Sequence, residues 1–309
     1  MTNDIFIHIG LHKTATTTLQ RQFFPACKNL NLFTTQIPEM EKFVHLATKK
    51  DPLYFNPGNA RNILTPLFLK DKVTLLSNEM ISGPPYAGVI EIGLDHRSPI
   101  ISNLHSVFPN AKIIIVIRRQ DSLAQSFYRQ YLYSGGTTRP RVFYGFKNDQ
   151  KAPLMSLDRF YFSPYIELLK STFPSGLLIL TFEEFVQDQQ SFLSKLCNFL
   201  GIDNPKISLG KENATKMGPI GMEISRLLNH ILRNMINRGI VPAIPIVKKG
   251  KLTSINLNHL LHENWPFKTK SRTSGELYTI TQQIFEMTKD DNRLLDSKFS
   301  LGLDNYDYY

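Results

Sequence analysis

The sequence predicts an α/β fold, with a central parallel sheet flanked by helices in three layers. Strand-like apolar runs alternate along the chain with segments of helical periodicity, the pattern of a parallel sheet covered on both faces. The strongest run, Lys112–Ile117, is apolar at consecutive positions, as a strand buried on both sides must be. The chain has 309 residues and ordinary apolar content, 42% hydrophobic, enough to bury a sizeable core. It is read as a single domain over 1–309, without repeats or low-complexity linkers.

The elements follow in order. Asp4–Ile9 is a strand, a turn spans Gly10–Ala15, and Thr16–Phe24 is a helix with Leu19, Phe23 and Phe24 on one side. A loop-rich stretch with Pro52, Pro57, Gly58 and Pro66 precedes a second strand at Lys72–Leu76, and Gly83-Pro84-Pro85 breaks the chain. A short helix leads to Pro109 and the strand Lys112–Ile117, and a helix from Asp121 to about Tyr133 closes at Gly135-Gly136. Residues 134–155 read as a long basic, aromatic loop, an insertion on the acceptor side. Ser156 caps a helix to about Phe173, Leu177–Thr181 is a strand, and Ser191–Leu200 is a helix ended by Gly201. Residues 240–272 read as irregular and basic, and a last helix runs from about Glu276 to Leu295, before a tyrosine-rich tail.

Composition narrows the function. The net charge of +10 favours anionic ligands but does not choose among them. Cys27 and Cys197 form neither a metal-binding spacing nor a disulfide framework, so no metal is expected. No apolar run approaches the ~20 residues that span a bilayer, and the first residues lack a signal-peptide pattern. The expectation is a cytoplasmic protein without a transmembrane segment and without a nucleic-acid motif.

The first motif is Ile7-His8-Ile9-Gly10-Leu11-His12-Lys13-Thr14-Ala15-Thr16-Thr17-Thr18-Leu19. Gly10 ends a strand where the backbone turns tightly. The following N–H groups and helix start suit an anion. Lys13 adds a point charge, and Thr14, Thr16, Thr17 and Thr18 add hydroxyls. A Walker A loop would need a second glycine where His12 stands. The segment resembles the 5′-phosphosulfate-binding loop of the sulfotransferases that use 3′-phosphoadenosine-5′-phosphosulfate (PAPS), especially the bacterial carbohydrate-type members. The resemblance implies a P-loop-like three-layer fold and PAPS as co-substrate, with adenosine 3′,5′-bisphosphate (PAP) as product. Gly10, Lys13, Thr14, Ala15, Thr16, Thr17 and Thr18 are the binding residues carried over. Ala15 stands where those members have glycine; it is read here as already helical, where alanine is favourable.

The second motif follows the strand 112–117: Arg118-Arg119-Gln120-Asp121, then Ser126 on the next helix. Cations at the carboxyl edge of a parallel sheet lie where ligands of such sheets bind, and Arg suits phosphate oxygens. Arg118 and Ser126, eight apart, resemble the family's 3′-phosphate-binding pair. Arg119 can equally pair with Asp121. Weaker likeness extends through Leu180–Phe185, Phe199–Ile202, Glu212–Thr215 and Asp291–Leu295.

Sulfuryl transfer to a hydroxyl needs a base, and Lys13 can meet the charge on the leaving phosphate. Glu79, just past the second strand, is the first candidate, supported by the use of a comparable Glu in carbohydrate and tyrosine members. His12, beside Lys13, is the second. His8 alternates with apolar strand residues and reads as a satisfied core histidine. The acceptor implied is a hydroxyl-bearing glycan or glycolipid, on which Tyr133, Phe143, Tyr144 and Trp265 could stack. Two other readings stay open: a P-loop nucleotide kinase or NTPase, which would require Mg²⁺, and a non-catalytic nucleotide- or glycan-binding protein of the same fold.

Overall fold

A computed structural model describes residues 4–85, 97–146, 153–210, 218–232, 244–248, 251–255 and 275–309. Strand β1 (Ile5–Ile9) enters the turn and continues into α1 (Thr16–Thr18), a π-helical turn (Leu19–Phe23) and a 3-10 turn (Phe24–Ala26). Then come β2 (Leu30–Phe33), α2 (Pro38–Lys49), α3 (Pro57–Leu64) and β3 (Val73–Asn78), which runs into a 3-10 turn at Glu79–Ser82. After α4 (Arg97–Val107) come β4 (Lys112–Ile117), α5 (Gln120–Tyr133), α6 (Pro140–Phe143), α7 (Phe162–Thr172), β5 (Leu177–Thr181), α8 (Phe182–Gln187) and α9 (Gln189–Leu200). The remaining elements are α10 (Pro219–Leu228), the hairpin β6 (Ile244–Lys248) and β7 (Lys251–Ile255), and α11 (Glu276–Phe299).

The main sheet is parallel, in the order β2-β3-β1-β4-β5. Alternate side chains of each strand go to opposite faces. Ile7, Ile9, Ile113, Ile115 and Ile117 join the core beneath α4, α5 and α7. Phe6, Ile114 and Val116 join the core on the other face with Leu19, Phe23 and α9. This is why these strands read as unbroken apolar runs. The three-layer α/β expectation holds. β1 sits between β3 and β4, so the chain leaves the centre in opposite directions there, and a crevice forms at the carboxyl ends.

Several expectations need correction. The stretch before β3 is not mainly loop: it holds β2, α2 and α3. Pro38 and Pro57 open helices at the first position, where a missing N–H costs nothing, and Asn56 caps α3 by accepting from the Asn59 N–H at 2.9 Å. The second strand in sequence is therefore β2, and β3 runs on to Asn78. Within 134–155, the described residues 134–146 and 153–155 are not an open aromatic loop, since α6 lies among them and Phe143, Tyr144 and Met155 are wholly buried; 147–152 lie outside the described residues. The Tyr144 hydroxyl donates to the Ala124 carbonyl at 2.6 Å, which ties it to the core rather than to a sugar. Within 240–272, residues 244–248 and 251–255 are not irregular: β6 and β7 pair antiparallel. Trp265 and the rest of that stretch lie outside the described residues. Among the described residues no helix is long and apolar enough to cross a membrane.

Candidate active site

The turn after β1 is built on close approach. A Cβ added at Gly10 would stand 2.4 Å from Thr16 Oγ1, so only glycine lets that hydroxyl close over the backbone. Lys13 and Ala15 both take left-handed backbone, at φ 71 and φ 64. Ala15 is thus not helical, contrary to the sequence reading; the turn overrides its helix propensity. The αL conformation costs a non-glycine residue roughly 1–2 kcal/mol. Ala15→Gly is accordingly expected to raise stability by up to about 1 kcal/mol, or roughly 2 °C in melting temperature. A lower melting temperature would mean that the packing of the Ala15 methyl on the second core outweighs the strain.

The threonines divide by role. Thr14 is fully buried and donates to the Leu11 carbonyl at 2.5 Å, which closes the turn; its hydroxyl is spent on the fold. Thr16 Oγ1 is buried and has no hydrogen-bond partner. An unpaired buried hydroxyl is costly unless a ligand completes it. No side chain caps α1 either, which leaves its first N–H groups to whatever occupies the turn. Thr17 is half-buried and Thr18 buried.

Helix α5 braces this turn from the β4 side. Arg118 Nη1 donates to the Lys13 carbonyl at 2.8 Å, and its Nε to Ser122 Oγ at 2.8 Å. The Lys13 ammonium donates to Gln130 Oε1 at 2.6 Å. Ser122, Ser126 and Gln130 recur every four residues, so they share one face of α5. Ser126 therefore lies between the anchor of Arg118 and the anchor of Lys13. Arg118 also stacks on Phe182, 4.3 Å from the ring centre. Burial lowers the Arg118 pKa, with Glu183 and Tyr308 opposing. Burial likewise lowers the Lys13 pKa, with Glu79 opposing and Arg118 adding to the shift. Arg119 turns away and makes a two-pronged pair with Asp121 at 2.8 and 3.0 Å.

Glu183 joins the end of β4 to the C-terminal tail at this edge. One oxygen accepts from the Arg119 N–H at 3.1 Å, the other from the Tyr308 hydroxyl at 2.7 Å. Tyr308 is fully buried, and its carbonyl accepts from Asn292, which also exchanges hydrogen bonds with Gln120.

On the β3 side, Glu79 follows the last strand residue, and its side chain is 42% exposed. His12 stands between two oxygens: Nδ1 lies 3.2 Å from Glu79 Oε2, and Nε2 donates to the Gly83 carbonyl at 2.9 Å. The His12 hydrogen bond is the main cause of a lowered Glu79 pKa; Lys13 and His8 add to it. Arg159 fixes this bend from outside, donating to the Pro84 and Ser82 carbonyls at 2.7 and 3.1 Å. Behind it, His8 Nδ1 meets Ser77 Oγ at 2.8 Å, but its Nε2 is buried without a partner, so the histidine is only half satisfied. Burial pushes it down to about 4, and it is a neutral core group.

The structure thus gathers Gly10, His12, Lys13, Thr16, Glu79 and Arg118 at one sheet edge, with Ser126 on the adjoining helix face. Ser122, Gln130, Arg159, Glu183 and Tyr308 were missed from sequence. The four-residue recurrence of 122, 126 and 130 was the one available signal. Among the described residues no cluster of His, Cys, Asp and Glu has the arrangement of a metal site.

Residues 96–206 match the family model described as the sulfotransferase family. The match covers 111 of the 309 residues. The matched segment carries Arg118 and Ser126, while the turn at 10–18 precedes it. No curated protein sequence matches this chain. Its fold is similar to three solved structures. A sulfotransferase from Alicyclobacillus acidocaldarius is 14% identical, over 74% of this chain and 94% of that one, with TM-score 0.49. Mouse sulfotransferase SULT7A1 complexed with PAP is 17% identical, over 68% of each chain, with TM-score 0.35. A sulfotransferase domain from the curacin biosynthetic pathway is 15% identical, over 93% and 97%, with TM-score 0.37. The family match supports sulfuryl transfer as the reaction class.

Proposed function

We propose that this chain is a sulfotransferase that moves a sulfuryl group from PAPS to the hydroxyl of a glycan or glycolipid. The observation that carries the reading is one turn holding Lys13, the unpaired Thr16 hydroxyl and the Arg118-bound carbonyl, with Glu79 across from Lys13. Lys13, Thr16, Thr17 and the N–H groups of the turn would hold the 5′-phosphosulfate end. Arg118 and Ser126 would hold the 3′-phosphate. The choice of a carbohydrate acceptor rests on the likeness of the turn to carbohydrate-type members.

The two candidates for the base separate on proton bookkeeping. A carbonyl oxygen can only accept, so His12 Nε2 carries a hydrogen toward Gly83. Nδ1 and Glu79 Oε2 then face each other, and two lone pairs would repel, so a proton lies between them. With both ring nitrogens engaged, His12 has no lone pair free for the acceptor hydroxyl. Glu79 keeps a second oxygen for the acceptor hydroxyl. In the proposed step the acceptor oxygen bonds to sulfur as the bond from sulfur to the phosphate oxygen breaks. The hydroxyl proton passes to Glu79, and Lys13 meets the charge released on the phosphate. His12 orients the Glu79 carboxylate.

Nucleotide selectivity tests the 3′ end. Wild type is expected to bind PAP more tightly than 5′-AMP in calorimetry. Arg118→Ala should shrink that preference by about tenfold or more, since a charged hydrogen bond contributes ~1.5–3 kcal/mol. An unchanged preference would put the 3′-phosphate elsewhere. Turnover of ³⁵S-labelled PAPS against hydroxyl acceptors without Mg²⁺ tests the reaction; nucleotide binding without turnover on any acceptor would favour the binding-protein reading.

A further inference from the structure

Gly83 takes a positive φ of 81°, with ψ 169°, at the end of the 3-10 turn that Glu79 begins. Glycine permits this backbone but does not impose it. Arg159 imposes it. Nη1 donates to the Pro84 carbonyl at 2.7 Å and Nη2 to the Ser82 carbonyl at 3.1 Å, so one rigid planar fork grips a carbonyl on each side of Gly83. The Gly83 N–H donates to the Met80 carbonyl at 3.0 Å, and the ring of Pro84 fixes the φ that follows. The Gly83 carbonyl lies between these restraints, so its direction is set.

That carbonyl holds His12. Nε2 donates to it at 2.9 Å, and Nδ1 on the other side of the ring lies 3.2 Å from Glu79 Oε2. Among the described residues, His12 is the hydrogen-bond partner of the Glu79 carboxylate, whose side chain is otherwise partly exposed and has rotamers to lose. Arg159 is itself anchored. It sits on the 3-10 turn Leu157–Phe160, which Ser156 caps by accepting from the Asp158 N–H at 3.2 Å, and Phe160 is wholly buried. Arg97 stacks on Tyr165, 4.7 Å from the ring centre, and donates to the Asp158 carbonyl at 3.5 Å.

We infer that Arg159 is a positioning residue for sulfuryl transfer: through the Gly83 carbonyl and His12 it holds the Glu79 carboxylate where the acceptor hydroxyl can reach it. The inference rests on the reading of Glu79 as the base.

The test reads Glu79 itself. Carbon NMR of ¹³C-glutamate-labelled protein follows the titration of its carboxyl, assigned by its absence in Glu79→Gln. The His12 hydrogen bond is the main cause that lowers the Glu79 pKa, and His12, Lys13 and His8 all face the carboxylate. Arg159→Ala leaves these three in the chain but frees the carbonyl that orients His12. Glu79 should therefore titrate at higher pH than in wild type. Arg159→Lys keeps a cation without the fork and should fall between the two. Millimolar guanidinium should restore the wild-type titration in Arg159→Ala. Turnover of ³⁵S-labelled PAPS with octyl glucoside as the hydroxyl acceptor should fall roughly tenfold or more in Arg159→Ala, as it does when a catalytic group is slightly misplaced. A cooperative melt shows that the variant is folded. An unmoved Glu79 titration in folded Arg159→Ala would overturn the inference. So would a rise that guanidinium does not reverse, because the whole bend has then loosened. Normal turnover in Glu79→Gln would instead remove Glu79 as the base, and with it this role of Arg159, whatever the titration shows.

Discussion

Glu79→Gln is expected to lower turnover by about 10²–10⁴, the usual worth of a general base, and to leave PAP affinity unchanged. The substitution keeps the shape of the side chain and removes the oxygen that can take the acceptor's proton. Near-normal turnover in Glu79→Gln would remove Glu79 as the base. His12→Gln keeps an amide donor toward Glu79 or Gly83 and should lose less activity than Glu79→Gln. Equal or greater loss with PAP affinity retained would make His12 the base instead.

For Lys13→Ala the expected loss is about 10²–10³ in turnover, the typical worth of one contact to charge that develops in the transition state. PAP affinity should fall less than the rate, because the ammonium is of most use as the leaving phosphate gains charge. The structure sharpens this expectation. The Lys13 carbonyl is held by Arg118 and its ammonium by Gln130, so the charge is placed before any ligand arrives. Burial favours its neutral form, and Glu79 nearby opposes that. Single-turnover kinetics with saturating PAPS separates rate from binding. A variant that turns over at nearly the wild-type rate would show that the turn's remaining N–H and hydroxyl groups suffice.

Much of this architecture was legible because buried parallel strands advertise themselves. Ile113–Ile117 and Ile5–Ile9 have no polar face to hide, apart from His8, and so both strands next to the crevice could be read. Gly10 and Lys13 were legible for a related reason: a strand end followed by glycine, lysine and hydroxyls has few other uses. The first crossover was not, because Pro57 reads as a loop marker although it starts a helix. Four-residue β2 is too short to show a period. Ala15 misled because local propensity speaks for helix while the turn around it demands left-handed backbone. Phe143 and Tyr144 misled because aromatics in a Gly-containing stretch resemble a binding loop, and only the packing shows them inside. Gln130, Arg159 and Glu183 act on residues far away in sequence, so no local pattern could mark them.

The Glu183–Tyr308 hydrogen bond spans 125 positions of the chain. On the ribosome this separation becomes a delay. Synthesis at roughly 5–20 residues per second leaves about 6–25 s between the making of Glu183 and the making of Tyr308. During that interval the β4 edge beside Arg118 exists without the tyrosine that later closes over its carboxylate. The nascent protein therefore has the turn after β1 early and its finished sheet edge late.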